Sequence, residues 1–165
     1  MTRRVLVGGV GYHHLSDYSL GPLVVARLQA ESWPPEVDLR DLSFGQLAFV
    51  QEQLAQEGVY RRVVLVGAQA RGGPPGAVRC YAWSFRLPPP LEIQARIAEA
   101  YTGIISLENL LVIGTHFAIW PPDVRVVEVE PAWETFGEAL SPPVAAALPA
   151  VVEAVRQAAL TGWSA

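Results

Sequence analysis

The chain is expected to fold as a three-layer α/β/α sandwich around a mainly parallel sheet. Three observations predict this. Short, continuous apolar runs at Arg4–Gly9, 62–67 and 124–129 suit strands buried on both faces. Segments with helical spacing of apolar residues fall between them. Strand and helix signals alternate over most of the 165 residues, with no internal repeat and no linker long enough to divide one domain spanning 1–165.

The first strand closes on Gly8-Gly9-Val10-Gly11. Ser19 is a reasonable N-cap for a helix to about Ala30, with Pro22 tolerated in its first turn. Trp33-Pro34-Pro35 breaks that helix, and Val37-Asp38-Leu39-Arg40 alternates as a short edge strand does. Residues 43–46 read as a capping box opening a helix toward Gln56, ended by Gly58. After the strand at 62–67, Arg71-Gly72-Gly73-Pro74-Pro75-Gly76 is a loop. Residues 77–85 read as a strand, followed by Pro88-Pro89-Pro90, and 92–100 as a short helix. Residues 103–117 place Ile104, Leu107, Leu110, Leu111 and Gly114 near one helical face. The strand at 124–129 follows Pro121-Pro122. Ser141-Pro142-Pro143 opens a last helix to about Leu160.

Composition narrows the function classes. Hydrophobic residues make up 51% and charged residues 17%, so the chain buries a core. The net charge is −4 with no basic run, which argues against nucleic acid as a partner. No apolar run is expected to reach membrane-spanning length, no signal peptide is recognisable, and a cytoplasmic protein without a membrane partner is expected. Cys80 alone forms no internal disulfide and reads as a buried strand thiol rather than a nucleophile. Every basic side chain other than histidine is arginine; a phosphate-loop lysine is therefore absent.

Ligands of such sandwiches bind beyond the carboxyl ends of the strands, so the informative loops are 8–19, 67–76 and the approach to Gly103. Gly9-Val10-Gly11 fails as a dinucleotide fingerprint: the third small residue is replaced by His14, and the helix starts too late. The glycines serve a tight strand-to-loop turn. No Gly-x-Ser-x-Gly elbow and no metalloprotease histidine motif occurs.

Three blocks carry a family resemblance. The first is Val5-Leu6-Val7-Gly8-Gly9-Val10-Gly11-Tyr12 followed by Asp17-Tyr18-Ser19-Leu20-Gly21-Pro22-Leu23-Val24. The second is Val64-Leu65-Val66-Gly67-Ala68 before Gly72-Gly73-Pro74-Pro75-Gly76. The third is Val129-Glu130-Pro131 before Gly137-Glu138-Ala139-Leu140-Ser141-Pro142-Pro143-Val144. In order and register they resemble the hydrogenase maturation endopeptidases, small α/β proteins that trim the C-terminus of the nickel-loaded large subunit of nickel–iron hydrogenases.

The resemblance implies three ligands for nickel carried by the substrate: an acidic residue, an aspartate and a histidine. Those positions fall on Tyr18, Gly67 and, by the nearest match to a helix-opening [Ser/Thr]-His pattern, Thr102. Glycine donates nothing, and neutral hydroxyls are poor donors for nickel. Tyr12 likewise replaces the family's asparagine. The chain therefore reads as a divergent member without the ligand set. No catalytic residue, metal or cofactor is expected, and a protein partner, such as a hydrogenase-like large subunit or a related tail, is.

Two alternatives stay open. A relocated metal site would use His13, His14 or Asp17, although Asp17 also suits a role bracing the loop and His13 and His14 a polar surface. A small-molecule hydrolase on the same sandwich predicts a deep polar pocket beside residues 9–12. Tyr12, His13, His14, Asp17 and Gln69 are the candidate groove and loop residues. His116, near a helix end, reads as structural. Trp83, Trp120, Trp133 and Trp163 read as packing residues.

Overall fold

The computed structural model describes residues 4–56, 58–103 and 106–161. Its strands are β1 (Arg4–Gly9), β2 (Val37–Asp41), β3 (Tyr60–Ala68), β4 (Val78–Ala82) and β5 (Asp123–Val129). The α-helices are α1 (Leu20–Gln29), α2 (Gln46–Ala55), α3 (Pro90–Tyr101), α4 (Leu107–His116) and α5 (Pro142–Leu160). One sheet has the order β2-β1-β3-β5-β4, parallel throughout except for β4, which runs antiparallel to β5.

Alternation along the strands builds two cores. Val64 and Val66 of β3 face α1 and α5, with Val5, Val7, Val127 and Val129. Val63 and Leu65 face the other way, with Leu6, Val124 and Val126, against Leu107, Leu110 and Leu111 of α4 and Phe49 of α2. That is the expected three-layer sandwich, since strands covered on both faces must be apolar at every position.

The chain leaves β1 in one direction to reach β2 and crosses in the other to β3. The loops after β1 and β3 therefore diverge at a topological switch point, where open α/β sheets build their sites.

Several local readings are corrected. Residues 43–46 form no capping box: α2 is capped by Gly45 in the left-handed region (φ 65°), and the buried Ser43 hydroxyl has no protein partner. Ser19 sits at the N-cap of α1, but its hydroxyl accepts from Leu15 N at 2.9 Å, serving the preceding 3-10 turn Ser16–Ser19. The helix expected over 103–117 is shorter. Gly103 lies just beyond α3 (φ 83°), and α4 is opened by Ser106, whose hydroxyl accepts from Asn109 N at 3.0 Å. Ile104 lies outside the described residues.

The strand expected over 77–85 stops at Ala82, and Phe85 has φ 57°. Cys80 is exposed on this edge strand rather than buried; partial desolvation pushes its thiol pKa up, which disfavours the thiolate. By length and hydropathy α5 could cross a membrane, contrary to the expectation that no segment reaches that length. In this fold Val144, Val151, Val155, Ala158 and Ala159 bury one side of it on the sheet, the pattern of an amphipathic core helix. His116 is exposed in the last turn of α4. Trp83 and Trp120 pack in the α4-side core, whereas Trp133 is exposed; Trp163 lies outside the described residues.

Candidate functional site

Gly11 closes the turn after β1 so tightly that the Tyr18 carbonyl takes the space a side chain would need there, and Tyr12 N donates to that carbonyl at 2.9 Å. Gly67, near the end of β3, faces the same turn from the other side. A Cβ at Gly67 would lie 2.5 Å from the Val10 carbonyl oxygen and 3.5 Å from the Leu107 Cβ. Tyr18 and Gly67 thus flank Val10-Gly11 at the switch point, and the first turn of α4 borders them.

Thr102 is not part of this arrangement. It is the exposed C-cap of α3, and its hydroxyl donates to the Glu99 carbonyl at 2.7 Å. The helix opening that touches Gly67 is Ser106-Leu107-Glu108. Ser106 as an N-cap, with Glu108 in the first turn, was the available signal. This turn carries no histidine.

Burial pushes the Tyr18 phenol pKa up, and the carboxylates of Glu134 and Glu130 add to it. The group is a neutral hydrogen-bond donor near neutral pH. Its ring meets that of Tyr12 edge-on, with centroids 6.3 Å apart.

Asp17 is fully buried. One carboxylate oxygen accepts from Ala132 N and Trp133 N at 2.8 Å and from the Ser141 hydroxyl at 2.7 Å; the other accepts from Ser141 N at 2.7 Å. This is the bracing role, joining the β1 loop to the segment between β5 and α5. With its oxygens engaged in four bonds, Asp17 is no metal ligand. His13 bonds Asp41 at 2.7 Å and stacks on Phe44, while His14 pairs with Glu138 at 3.0 Å. The two histidines serve different carboxylates, and among the described residues no three His, Cys, Asp or Glu groups are arranged to hold a metal ion.

Sequence reading missed the charged cluster beside Gly67. Glu128 is the β5 residue in register with Gly67 and lies on the same sheet face. It is 2% exposed, and Glu130 is 4% exposed. Arg71, from the loop after β3, meets Glu128 through two nitrogens at 3.2 and 3.3 Å and Glu108 through a third at 3.1 Å. Its backbone N–H reaches Glu130 at 2.9–3.0 Å, joined by Gly72 N at 3.0 Å and Arg79 at 2.5 Å. The Tyr81 hydroxyl donates to Glu128 at 2.8 Å. Burial by itself raises the Glu130 pKa, but the Arg79 bond and the backbone N–H groups outweigh it and hold the carboxyl below its usual range. Gln69 borders the cluster; its backbone N–H bonds Val129 O at 3.1 Å, and its side-chain oxygen is buried without a protein partner.

Two cavities lie elsewhere. One of about 410 Å³ is lined by His13, His14, Ser19, Pro22, Leu23 and Glu138 among others. Another, of about 290 Å³, lies at the opposite end of the strands, by the start of β3, beside Phe49, Tyr60 and Trp120. Neither is lined by residues 9–12.

No protein-family model matches the chain, and no curated protein matches it. Solved structures do. The hydrogenase 2 maturation peptidase from Thaumarchaeota archaeon SCGC_AB-539-E09 is 27% identical over 94% of this chain and 97% of its own, with TM-score 0.64. The hydrogenase-maturating endopeptidase HybD from E. coli is 23% identical over 92% and 89%, with TM-score 0.67. The [NiFe] hydrogenase maturation protease HybD from Thermococcus kodakarensis is 17% identical over 94% and 99%, with TM-score 0.62.

Proposed function

We propose that this chain, which shares the fold of the hydrogenase maturation endopeptidases, binds the C-terminal region of a hydrogenase-like large subunit, or a related protein tail, without cleaving it, and acts as a maturation or assembly factor. One observation carries this reading. Where the resemblance implies nickel ligands, the chain presents the neutral phenol of Tyr18, the bare backbone of Gly67 and Thr102, while the carboxylates near Gly67 are held by Arg71 and Arg79. A substrate-borne nickel needs free oxygen or imidazole donors, and these residues do not fit it.

What the loops offer is suited to protein contact. Trp133 and Phe136 are exposed on the segment that Asp17 braces, and Phe44 is exposed beside His13. Large aromatic side chains on ordered loops contribute apolar contact at small entropic cost.

Co-expression with a hydrogenase large-subunit precursor, affinity capture and intact-mass analysis tests the proposal. Capture of the precursor with its C-terminal extension intact is expected. A shortened precursor shows cleavage and contradicts the reading, as does failure to capture it.

A further inference from the structure

Phe49, Tyr60 and Trp120 bring three aromatic rings to the cavity of about 290 Å³ by the start of β3, at the far end of the strands from Gly67. Two polar side chains in its wall have no partner among the described residues. Gln53 of α2 is only 9% exposed, yet its amide makes no hydrogen bond to them. A buried amide in this state costs stability unless a ligand or water answers it. Arg61 is the other, with no ion pair and no hydrogen bond from its side chain to the described residues. Arg4 pairs with Tyr60 and Val5 with Arg62, so Arg61 is the extra residue of a bulge between β1 and β3. Consecutive strand residues ordinarily point to opposite faces, but here Tyr60 and Arg61 both line the cavity. The neighbouring charges are already matched: Asp38 is held by Arg4 and by the Tyr60 hydroxyl at 3.1 Å, and Glu52 by Arg40 at 2.8 and 3.0 Å. Among the described lining residues Arg61 is the only charged side chain.

We infer that this cavity is a binding site for a small planar heteroaromatic carboxylate: the aromatic wall takes its ring, the Gln53 amide a polar ring edge, and Arg61 its acidic group. A guanidinium does not deprotonate, and its fork matches a carboxylate with two parallel contacts. The single unmatched cation suits a single negative charge, whereas a phosphate group brings nearly two. Gln53 offers both donors and an acceptor, which suits a ring nitrogen in either role. The cavity is at the small end of ligand pockets, large enough for a bicyclic ring with a short acidic arm and too small for a dinucleotide. It lies at the other end of the sheet from the proposed partner groove, so the inference stands apart from the capture experiment.

Isothermal titration of the full chain with indole-3-acetate tests it, with indole-3-acetamide as the uncharged counterpart. Saturable binding of the carboxylate with a Kd below about 1 mM is expected. Binding of the amide to the wild type, and of the carboxylate to Arg61→Ala, should each be weaker by about tenfold or more, because a hydrogen bond between charged groups is lost. Arg61 is exposed, so that variant keeps the fold. Gln53→Leu, which keeps the bulk, should weaken binding several-fold. Arg27→Ala removes an exposed arginine from α1, on the other face of the sheet, and should leave the Kd unchanged. Absence of saturable binding to the wild type overturns the inference. So does a Kd that Arg61→Ala leaves unaltered, or one that Arg27→Ala shifts as far.

Discussion

The Asp17 carboxylate and Ser141, 124 positions apart in sequence, are joined by two hydrogen bonds of 2.7 Å, one donated by the backbone N–H and one by the hydroxyl of Ser141. With the bonds from Ala132 N and Trp133 N, this contact fixes the site loop after β1 to the start of α5. Asp17→Ala leaves these buried donors without a charged acceptor and should lower the unfolding free energy by about 3 kcal/mol or more. Urea denaturation measures it. A loss under about 1 kcal/mol would remove the bracing role.

Gly67 sets a limit on recovering metal chemistry. Its missing Cβ is space used by the Val10 backbone carbonyl, and backbone gives way less readily than a side-chain tip. Gly67→Asp should therefore cost about 1–3 kcal/mol through overpacking and restore no nickel binding. A variant as stable as the wild type that gains stoichiometric nickel would show that the loop is free to move.

Glu130 makes stability depend on acid in a defined direction. Its folded-state pKa is lowered, so its contribution is complete above the ordinary carboxylate range and is lost as pH falls through the lowered value. Stability of the wild type should decline below about pH 4.5, and Glu130→Gln should flatten part of that decline while lowering stability at neutral pH. Denaturant midpoints across the acid range report it; parallel curves for the two proteins contradict it.

Ser106 places the first turn of α4 against Gly67. Ser106→Ala removes the cap bond to Asn109 N and should cost about 1 kcal/mol. Ser141 at the start of α5 differs, because its hydroxyl donates to Asp17 instead of capping its own helix.

The strands were legible because burial on both faces demands unbroken apolar runs, as in Val63-Val64-Leu65-Val66. The long helix α5 was legible from Ser141-Pro142-Pro143 for a similar local reason. Thr102 was chosen on a loose motif match; the structure makes it the C-cap of α3, and the helix opening beside Gly67 begins at Ser106. The Arg71 cluster was invisible for a different reason. Its residues stand at 71, 79, 81, 108, 128 and 130, and only the pairing of β5 between β3 and β4 brings them together. Cys80 looked buried because its neighbours are apolar, but β4 is an edge strand with one side open.

The central claim is that this end of the sheet holds no nickel-binding set. Equilibrium dialysis of the purified wild-type protein against nickel(II), with bound metal quantified by elemental analysis, addresses it directly. The account predicts no saturable binding. Stoichiometric nickel bound with a submicromolar Kd would contradict it.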